Sequence, residues 1–305
     1  METSTLTLPD GPLDARYRAF LETLSTIRPA LHRYCARMTG SVMDGEDIVQ
    51  DALFDAYRKL ETFDVSRPVS PWLFRIAHNR CVDFLRRRGV RMESESLVAA
   101  EPALVEPELP LGNAVKIAVE HLVIHLPPME RACVLLKEVF EYSLQETAEL
   151  TGSTIAGVKA AIHRGRAKLA QMSEPTFKRR EADQELRRLL DLYVKCFNDR
   201  DWSGLHELIT ADARLQVDDR FVGPLANASY FGVYERMKVP WSMAVGEADG
   251  ELVVICRRWI QESWVPDSLI RVQREGSKIS RVIDYLHCPW VFAAAESISI
   301  AEQPQ

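Results

Sequence analysis

Residues 143–170, SLQETAELTGSTIAGVKAAIHRGRAKLA, decide how the helical part of this chain is read. Ser143 with Glu146 three residues later is a capping box. The hydroxyl takes one orphan amide of the helix start and the carboxylate takes another. The spacing predicts a short helix from Ser143 to Thr151. Gly152 makes the turn, and a second helix runs from Ser153 or Thr154 to about Met172. Ala148 is small where the two helices must approach. Residues 156–168 hold Lys159, Arg164, Arg166 and Lys168 and no acid. A capped short helix, a glycine turn and a basic second helix make a helix-turn-helix. The first helix braces the second, whose N-terminal half enters the major groove. Many helical hairpins share this pattern, and the stretch alone leaves that alternative open.

Upstream, apolar residues recur at helical spacing. Tyr17, Phe20, Leu21, Leu24, Ile27, Leu31, Tyr34, Cys35 and Met38 predict a helix over 14–39, ended by Gly40. Ile48, Val49, Ala52, Leu53, Ala56, Tyr57 and Leu60 predict another from Asp44 to Glu61. Ser70 as N-cap and Pro71 at N1 predict a third, which runs to Arg86–Arg88. Residues 92–112 contain prolines 102, 107 and 110 without periodicity and read as a linker. Helices resume near Asn113, and Pro127-Pro128 starts one that reaches Phe140. After Pro175 the texture changes. A helix over 178–198 and a short one over 202–209 precede strand-like runs at 214–217, 252–259, 269–274 and 278–285. Glu275-Gly276-Ser277 signals a hairpin.

The chain has 305 residues, enough for two domains or three small ones at ~150 residues each. Hydrophobic residues at 47% and charged residues at 27% fit a globular protein. No apolar run is long enough for a membrane-spanning helix. The N-terminal residues lack a basic start and an apolar stretch, so no signal peptide is expected, and the cytoplasm is the expected location. The six cysteines are scattered, with no CxxC or Cys/His cluster, so neither a zinc site nor a disulfide framework is expected. The net charge of −6 argues against a nonspecific DNA coat. Local charge is more telling. Arg75, Arg80, Arg86, Arg87, Arg88 and Arg91 face one acid, Asp83, and an acidic segment, 92–115, separates them from the second basic island. A solvated helix face is the plain reading of each island; two in this context point to nucleic acid.

Three stretches in order, SVMDGEDIVQDALFDAYRKLETFD (41–64), PWLFRIAHNRCVDFLRRR (71–88) and LPPMERACVLLKEVFEYSLQETAELTGSTIAGVKAAIHRGRAKL (126–169), resemble an extracytoplasmic-function sigma factor of the sigma-70 family. The resemblance covers about residues 14–172. It implies a core-polymerase and minus-10 module over 14–91, a linker over 92–112, and a minus-35 helix-turn-helix module over 113–172. RNA polymerase core enzyme and promoter DNA are the implied partners. Asp44, Glu46, Asp47, Gln50 and Asp51 look like the part that docks on polymerase, an acidic face beside an apolar stripe. Without the resemblance they read as a solvated acidic helix start. Arg75, Asn79, Arg80, Arg86, Arg87 and Arg88 match the helix that melts the minus-10 element, where phosphates need cations. The loop 63–70 resembles the segment that captures a flipped base, while Trp72 reads as core. Lys159, His163, Arg164 and Arg166 match the minus-35 contacts. Ala160-Ala161 stands where relatives have Ser-Arg, which removes two polar contacts and leaves methyl groups for thymine.

Beyond that module, ELRRLLDLYVKCFNDRDWSGLHELITADARLQVDD (185–219) resembles the opening of a SnoaL-like domain of the nuclear transport factor 2-like superfamily. The expected architecture is therefore multidomain: two all-α sigma modules, then an α+β cone over 178–296. The resemblance implies regulation of the sigma modules in cis, with the extension packed against them, and a possible small-molecule ligand. Two signatures of the best-known such sigma factors are absent, where Asp218-Asp219 and His287-Cys288-Pro289-Trp290-Val291 stand, which points to a sibling group. No cofactor, metal or catalytic residue is expected. The alternative is a DNA-targeted isomerase or cyclase, with Asp218, Asp284 and His287 as candidates by residue type and an aspartate in an apolar pocket as the needed feature. Trp241, Trp259, Trp264 and Trp290 either line a cavity or fill the core.

Overall fold

The structure is a computed structural model that describes residues 12–64, 66–88, 119, 123–171, 183–217, 221–225 and 230–300. The described residues form two compact units, one before residues 172–182 and one after them, except that Ser41–Met43 group with the second. The linker 92–112, the residues from Asn113 to 118 and the connector before 183 lie outside the described residues.

The first unit is helical: α1 (Pro12–Thr39), α2 (Val42–Arg58), α3 (Val69–Arg87), α4 (Pro128–Val134), α5 (Leu144–Thr151) and α6 (Ile155–Ala170). Periodicity fixes which face is buried. On α1 it is Phe20, Ile27, Leu31, Tyr34, Cys35 and Met38, whereas Leu21 of the expected stripe is exposed. Three local expectations shift. α2 stops at Arg58 and Leu60–Thr62 form a separate 3-10 turn. α3 is capped by the extended backbone of Pro68, not by Ser70, and no side chain accepts there. Ser70 and Pro71 fall inside the first turn, where amides have no helical partner in any case. The helix expected to reach Phe140 stops at Val134, and Leu135–Val139 widen into a π turn. Glu141 then takes a φ of 60°.

The described parts on both sides of the linker share one hydrophobic core. Phe140 meets Tyr34 and Phe74 edge to face, at centroid distances of 5.9 and 5.7 Å. Tyr142 meets Phe74 at 5.5 Å. Arg131 is buried and donates to three main-chain oxygens: Leu126 at 3.0 Å, Ile124 at 2.5 Å and Met38. The Met38 carbonyl belongs to the last turn of α1, where carbonyls lack helical donors and a cation is favoured. Burial lowers the Arg131 pKa to about 10, so it stays charged near neutral pH. The described parts of the two expected sigma modules thus pack together as one unit here.

The second unit is α+β. It holds α7 (Gln184–Asp199), α8 (Trp202–Leu208), α9 (Tyr230–Glu235) and α10 (Pro289–Ala294). The strands are β1 (Ile209–Val217), β2 (Phe221–Pro224), β3 (Trp241–Ala248), β4 (Glu251–Ile260), β5 (Ser263–Glu275), β6 (Lys278–Asp284) and β7 (Ile298–Ile300). The sheet order is β2-β1-β6-β5-β4-β3-β7. Among the described strands, only the β1–β6 pair is parallel. β2, β3, β7, α9 and α10 had no counterpart in the sequence reading. α7 begins at Gln184 rather than 178, with Asp183 accepting from Leu186 N at 2.9 Å. It buries Leu189, Leu190, Tyr193, Val194 and Phe197 against Met243, Val254, Ile270 and Val282.

All six cysteines are thiols, and only Cys196 is partly exposed. Burial pushes Cys256 up to about 12 and raises Cys35 well above its usual value. Among the described residues no helix is long and apolar enough to cross a membrane, and no cluster of ligating side chains could hold a metal.

Candidate nucleic-acid interface

The helix-turn-helix forms from the local rules that its sequence carries. Ser143 Oγ accepts from Glu146 N at 3.1 Å, and Glu146 accepts from Ser143 N at 2.8 Å. Those bonds hold the Glu146 carboxyl below its usual range. Gly152 is left-handed, at φ 67°, a conformation a side chain would strain. Thr154 Oγ1 caps α6 by accepting from Gly157 N at 3.0 Å.

α6 buries Val158, Ala161, Ile162 and Gly165. A Cβ at Gly165 would sit 2.7 Å from Val134 Cγ2, so α4 and α6 touch through a glycine. The opposite face presents Lys159, His163 and Arg166, all exposed, with Arg164 on its flank. Two buried carboxylates set the arginines: Arg164 Nε lies 3.0 Å from Glu130 and Arg166 Nη2 lies 2.6 Å from Glu138. Lys168 reaches Glu130 at 3.0 Å. Glu130 and Glu138 were not singled out from sequence, because a buried acid in an apolar helix carries no local mark of its distant partner. Ala161 is fully buried, beside Cys133 and Ala148. The expectation that both alanines offer methyls to thymine therefore fails for Ala161 and stands open only for half-buried Ala160.

On α3, Leu73, Phe74, Ala77, Cys81 and Leu85 are buried, which turns Arg75, Asn79, Arg86 and Arg87 outward. Arg80 forks onto Asp55, Nε at 2.7 Å, and that bond raises its pKa. Arg88 pairs with Asp44 at 2.9 Å and covers the Phe84 ring at 5.1 Å. Arg86 pairs with Asp83 at 3.0 Å, an exposed bridge of little energetic weight. Phe63 stacks on Trp72 at 4.3 Å, and Trp72 packs against the core, as the sequence reading held. His78, inside the same motif, is buried. Its Nδ1 lies 2.8 Å from the Tyr34 hydroxyl, and burial lowers its pKa to about 4.

The acidic face of α2 is split. Asp44 and Glu46 are buried, and Glu46 pairs with Arg28 at 2.7 Å. Asp47 and Gln50 are half-buried and Asp51 is exposed. The alternative reading, a solvated acidic helix start, does not hold for Asp44 and Glu46, which are buried.

In the second unit Asp284 is completely buried. Tyr230 and Tyr234 donate to its Oδ2 at 2.9 and 2.5 Å, and Leu286 N donates to Oδ1 at 3.0 Å. Burial, then the neighbouring carboxylate, raises both tyrosines well above their usual pKa. His287 is exposed, and Asp218 lies outside the described residues. Trp241 is buried, donates to Tyr234 O at 2.7 Å and lies under the Arg200 guanidinium at 3.5 Å. Trp290 is half-buried. Trp259 and Trp264 fit neither the cavity nor the core reading: both are exposed on the β4–β5 hairpin.

Two family models match in the order of these modules: Sigma-70 region 2 over residues 24–91, and Sigma-70, region 4 over residues 116–169. The chain is 32% identical over 168 residues to the ECF RNA polymerase sigma factor SigW of Bacillus subtilis (strain 168), covering 50% of this chain and 87% of that one. The chain belongs to the extracytoplasmic-function sigma factors. This sigma factor is also 31% identical over 229 residues to the ECF RNA polymerase sigma factor SigG of Mycobacterium tuberculosis, covering 66% of this chain and 62% of the relative. Among solved structures, that of the Mycobacterium tuberculosis extracytoplasmic function sigma factor SigJ aligns with 90% of this chain and 99% of its own, at 18% identity and a TM-score of 0.35.

Proposed function

We propose that this sigma factor recruits core RNA polymerase in the cytoplasm and directs it to promoters. In this reading α6 reads the minus-35 element and α3 melts the minus-10 element. The observation that carries it is the ordered pair of sigma-70 regions together with the α6 stripe of Lys159, His163 and Arg166, turned outward by the buried 158–161–162–165 face. Lys159, Arg164 and Arg166 meet phosphates or guanine edges, and His163 lies between them. Arg75, Asn79, Arg86 and Arg87 meet the melted strand, with Arg80 and Arg88 released to it from Asp55 and Asp44. Asp47, Gln50 and Asp51 face polymerase, and Asp44 and Glu46 position the helix that carries them. Spanning two promoter elements requires the Tyr34–Phe74–Phe140 seam to open. The two modules are then those of residues 14–91 and 113–172, joined by 92–112.

The C-terminal unit, 178–296, is read as SnoaL-like and as a cis-regulator, not an enzyme. Asp284 is engaged by Tyr230, Tyr234 and a main-chain amide, which supports a structural role over proton transfer for an isomerase or cyclase. Transcription from one promoter by the full chain and by residues 1–172 tests both parts. A discrete start site and a change in output on truncation are expected. No binding to core polymerase by either form at micromolar concentration would sink the sigma reading; equal output would sink regulation. Lys159→Ala and Arg164→Ala should each weaken minus-35 binding. A uniform loss with a shallower salt slope marks a phosphate contact, and a loss at one base position of ~1–3 kcal/mol marks a base contact.

A further inference from the structure

Trp259 and Trp264 stand opposite each other across the β4–β5 hairpin, rings 5.2 Å apart at 66°, each about two-fifths exposed. Arg257, two residues back on β4, holds its guanidinium 5.7 Å from the Trp264 ring centre. The turn residues Gln261 and Glu262 both take positive φ, 49° and 61°. That is the two-residue turn that lets a hairpin keep its twist to the end. Pro240 O accepts from Trp259 N at 2.9 Å, so the chain entering β3 lies beside the tip. That chain carries exposed Arg236 and Lys238. Of the nearby acids, Asp267 is held by Arg258 at 2.8 Å, Glu262 sits in the turn and Glu235 precedes the segment. Strand alternation sends Ile260 and Val265 to the other face and leaves half-buried Arg257 on the face of the tryptophans. Large exposed aromatics grouped in this way mark an interaction surface rather than ordinary surface scatter.

We propose that this tip is a stacking platform for unpaired bases of single-stranded DNA. Indole faces take bases of any sequence, and Arg257, Arg236 and Lys238 supply cations for the phosphates between them. A purely apolar protein partner would leave the Arg257 guanidinium beside the Trp264 ring without a counterpart. The proposal rests on the sigma-factor reading only for the source of the strand, the melted promoter; the binding itself needs no polymerase.

The test uses the full chain and a 5′-labelled 15-nucleotide single strand, with the same sequence as duplex for comparison, read by fluorescence anisotropy. Trp259→Ala/Trp264→Ala should lose about tenfold or more in single-strand affinity, the scale of one to two lost stacked bases. Trp259→Phe/Trp264→Phe should keep most of it, and Arg257→Ala should flatten the salt dependence. The single strand should quench tryptophan emission in the wild type and much less in the double alanine variant. Both variants alter exposed side chains, and circular dichroism checks their folding. Single-strand affinity that is absent in the wild type, or unchanged in the double alanine variant, overturns the proposal. So does self-association by sedimentation that vanishes in that variant without any change in strand binding, since the tip would then be a contact between two copies. Loss of core-polymerase binding with strand affinity intact also overturns it, in favour of a protein contact. Run-off transcription by the wild type is scored separately, so failure of the sigma reading is distinguishable from failure of this one.

Discussion

Replacing Arg131 removes a buried cation that ties the region-4 helices to the end of α1. Its three carbonyl partners, Met38, Ile124 and Leu126, lose charge-assisted bonds worth ~1.5–3 kcal/mol each. Against that stands the desolvation the cation already bears. A pKa moved from 12.5 to about 10 corresponds to ~3 kcal/mol at ~1.36 kcal/mol per unit. The difference leaves a net loss of ~2–6 kcal/mol for Arg131→Met, which keeps much of the side-chain volume. At ~2–4 °C per kcal/mol for a unit of this size, the helical unit should melt about 10 °C lower. Calorimetry on the full chain follows that transition apart from the second unit's. Hydrogen exchange at the end of α1 should quicken together with exchange in α4, because one group holds both. A shift under 2 °C, or exchange confined to one of the two segments, would refute the claim that Arg131 joins them.

His78 gives a pH signature. The unfolded chain binds its proton near pH 6.5 and the folded unit only near 4, so stability is complete above 6.5 and falls by ~3 kcal/mol as pH drops to 4. Denaturant titrations of His78→Gln should show a flatter slope over that window; an unchanged slope would point to another group. Gly165→Ala forces a methyl onto Val134 and should cost about 1–3 kcal/mol, with duplex binding reduced through a displaced α6. Ser143→Ala should cost ~1 kcal/mol, and exchange at the Glu146 amide should rise about fivefold; no change there would mean the cap is idle.

What the sequence discloses and what it conceals follow the range of the interactions. The capping box at Ser143, the turn at Gly152 and the stripe 158–161–162–165 are set by neighbours within two turns, and all are readable residue by residue. The Ala161 error was avoidable, since the helical period already placed it on the buried face. The shared core was not readable. Tyr34, Phe74 and Phe140 each look like ordinary stripe residues of their own helices, and nothing local says that they meet. The acids Asp44, Glu46, Glu130 and Glu138 share that difficulty, because a carboxylate that will be paired inside looks the same as one that will be solvated. β3 escaped notice because both its faces are covered, so it lacks the alternation that marks a half-buried strand. β2 and β7, at four and three residues, are too short to carry a period.

The placement of the thiols turns the chain into its own clock of local opening. Cys35, Cys81 and Cys133 lie in the helical core, and Cys256 and Cys288 lie in the sheet unit, all closed to solvent. Exclusion from solvent slows labelling of all five, and at Cys35 and Cys256 burial also suppresses the reactive thiolate. Only Cys196 offers a surface handle, and its own pKa is raised by partial burial. A mild alkylating reagent followed by mass spectrometry would therefore mark Cys196 first. After that, each buried cysteine reports the rate at which its own surroundings open, so the Tyr34–Phe74–Phe140 seam and the sheet can be timed separately in one unmodified sample.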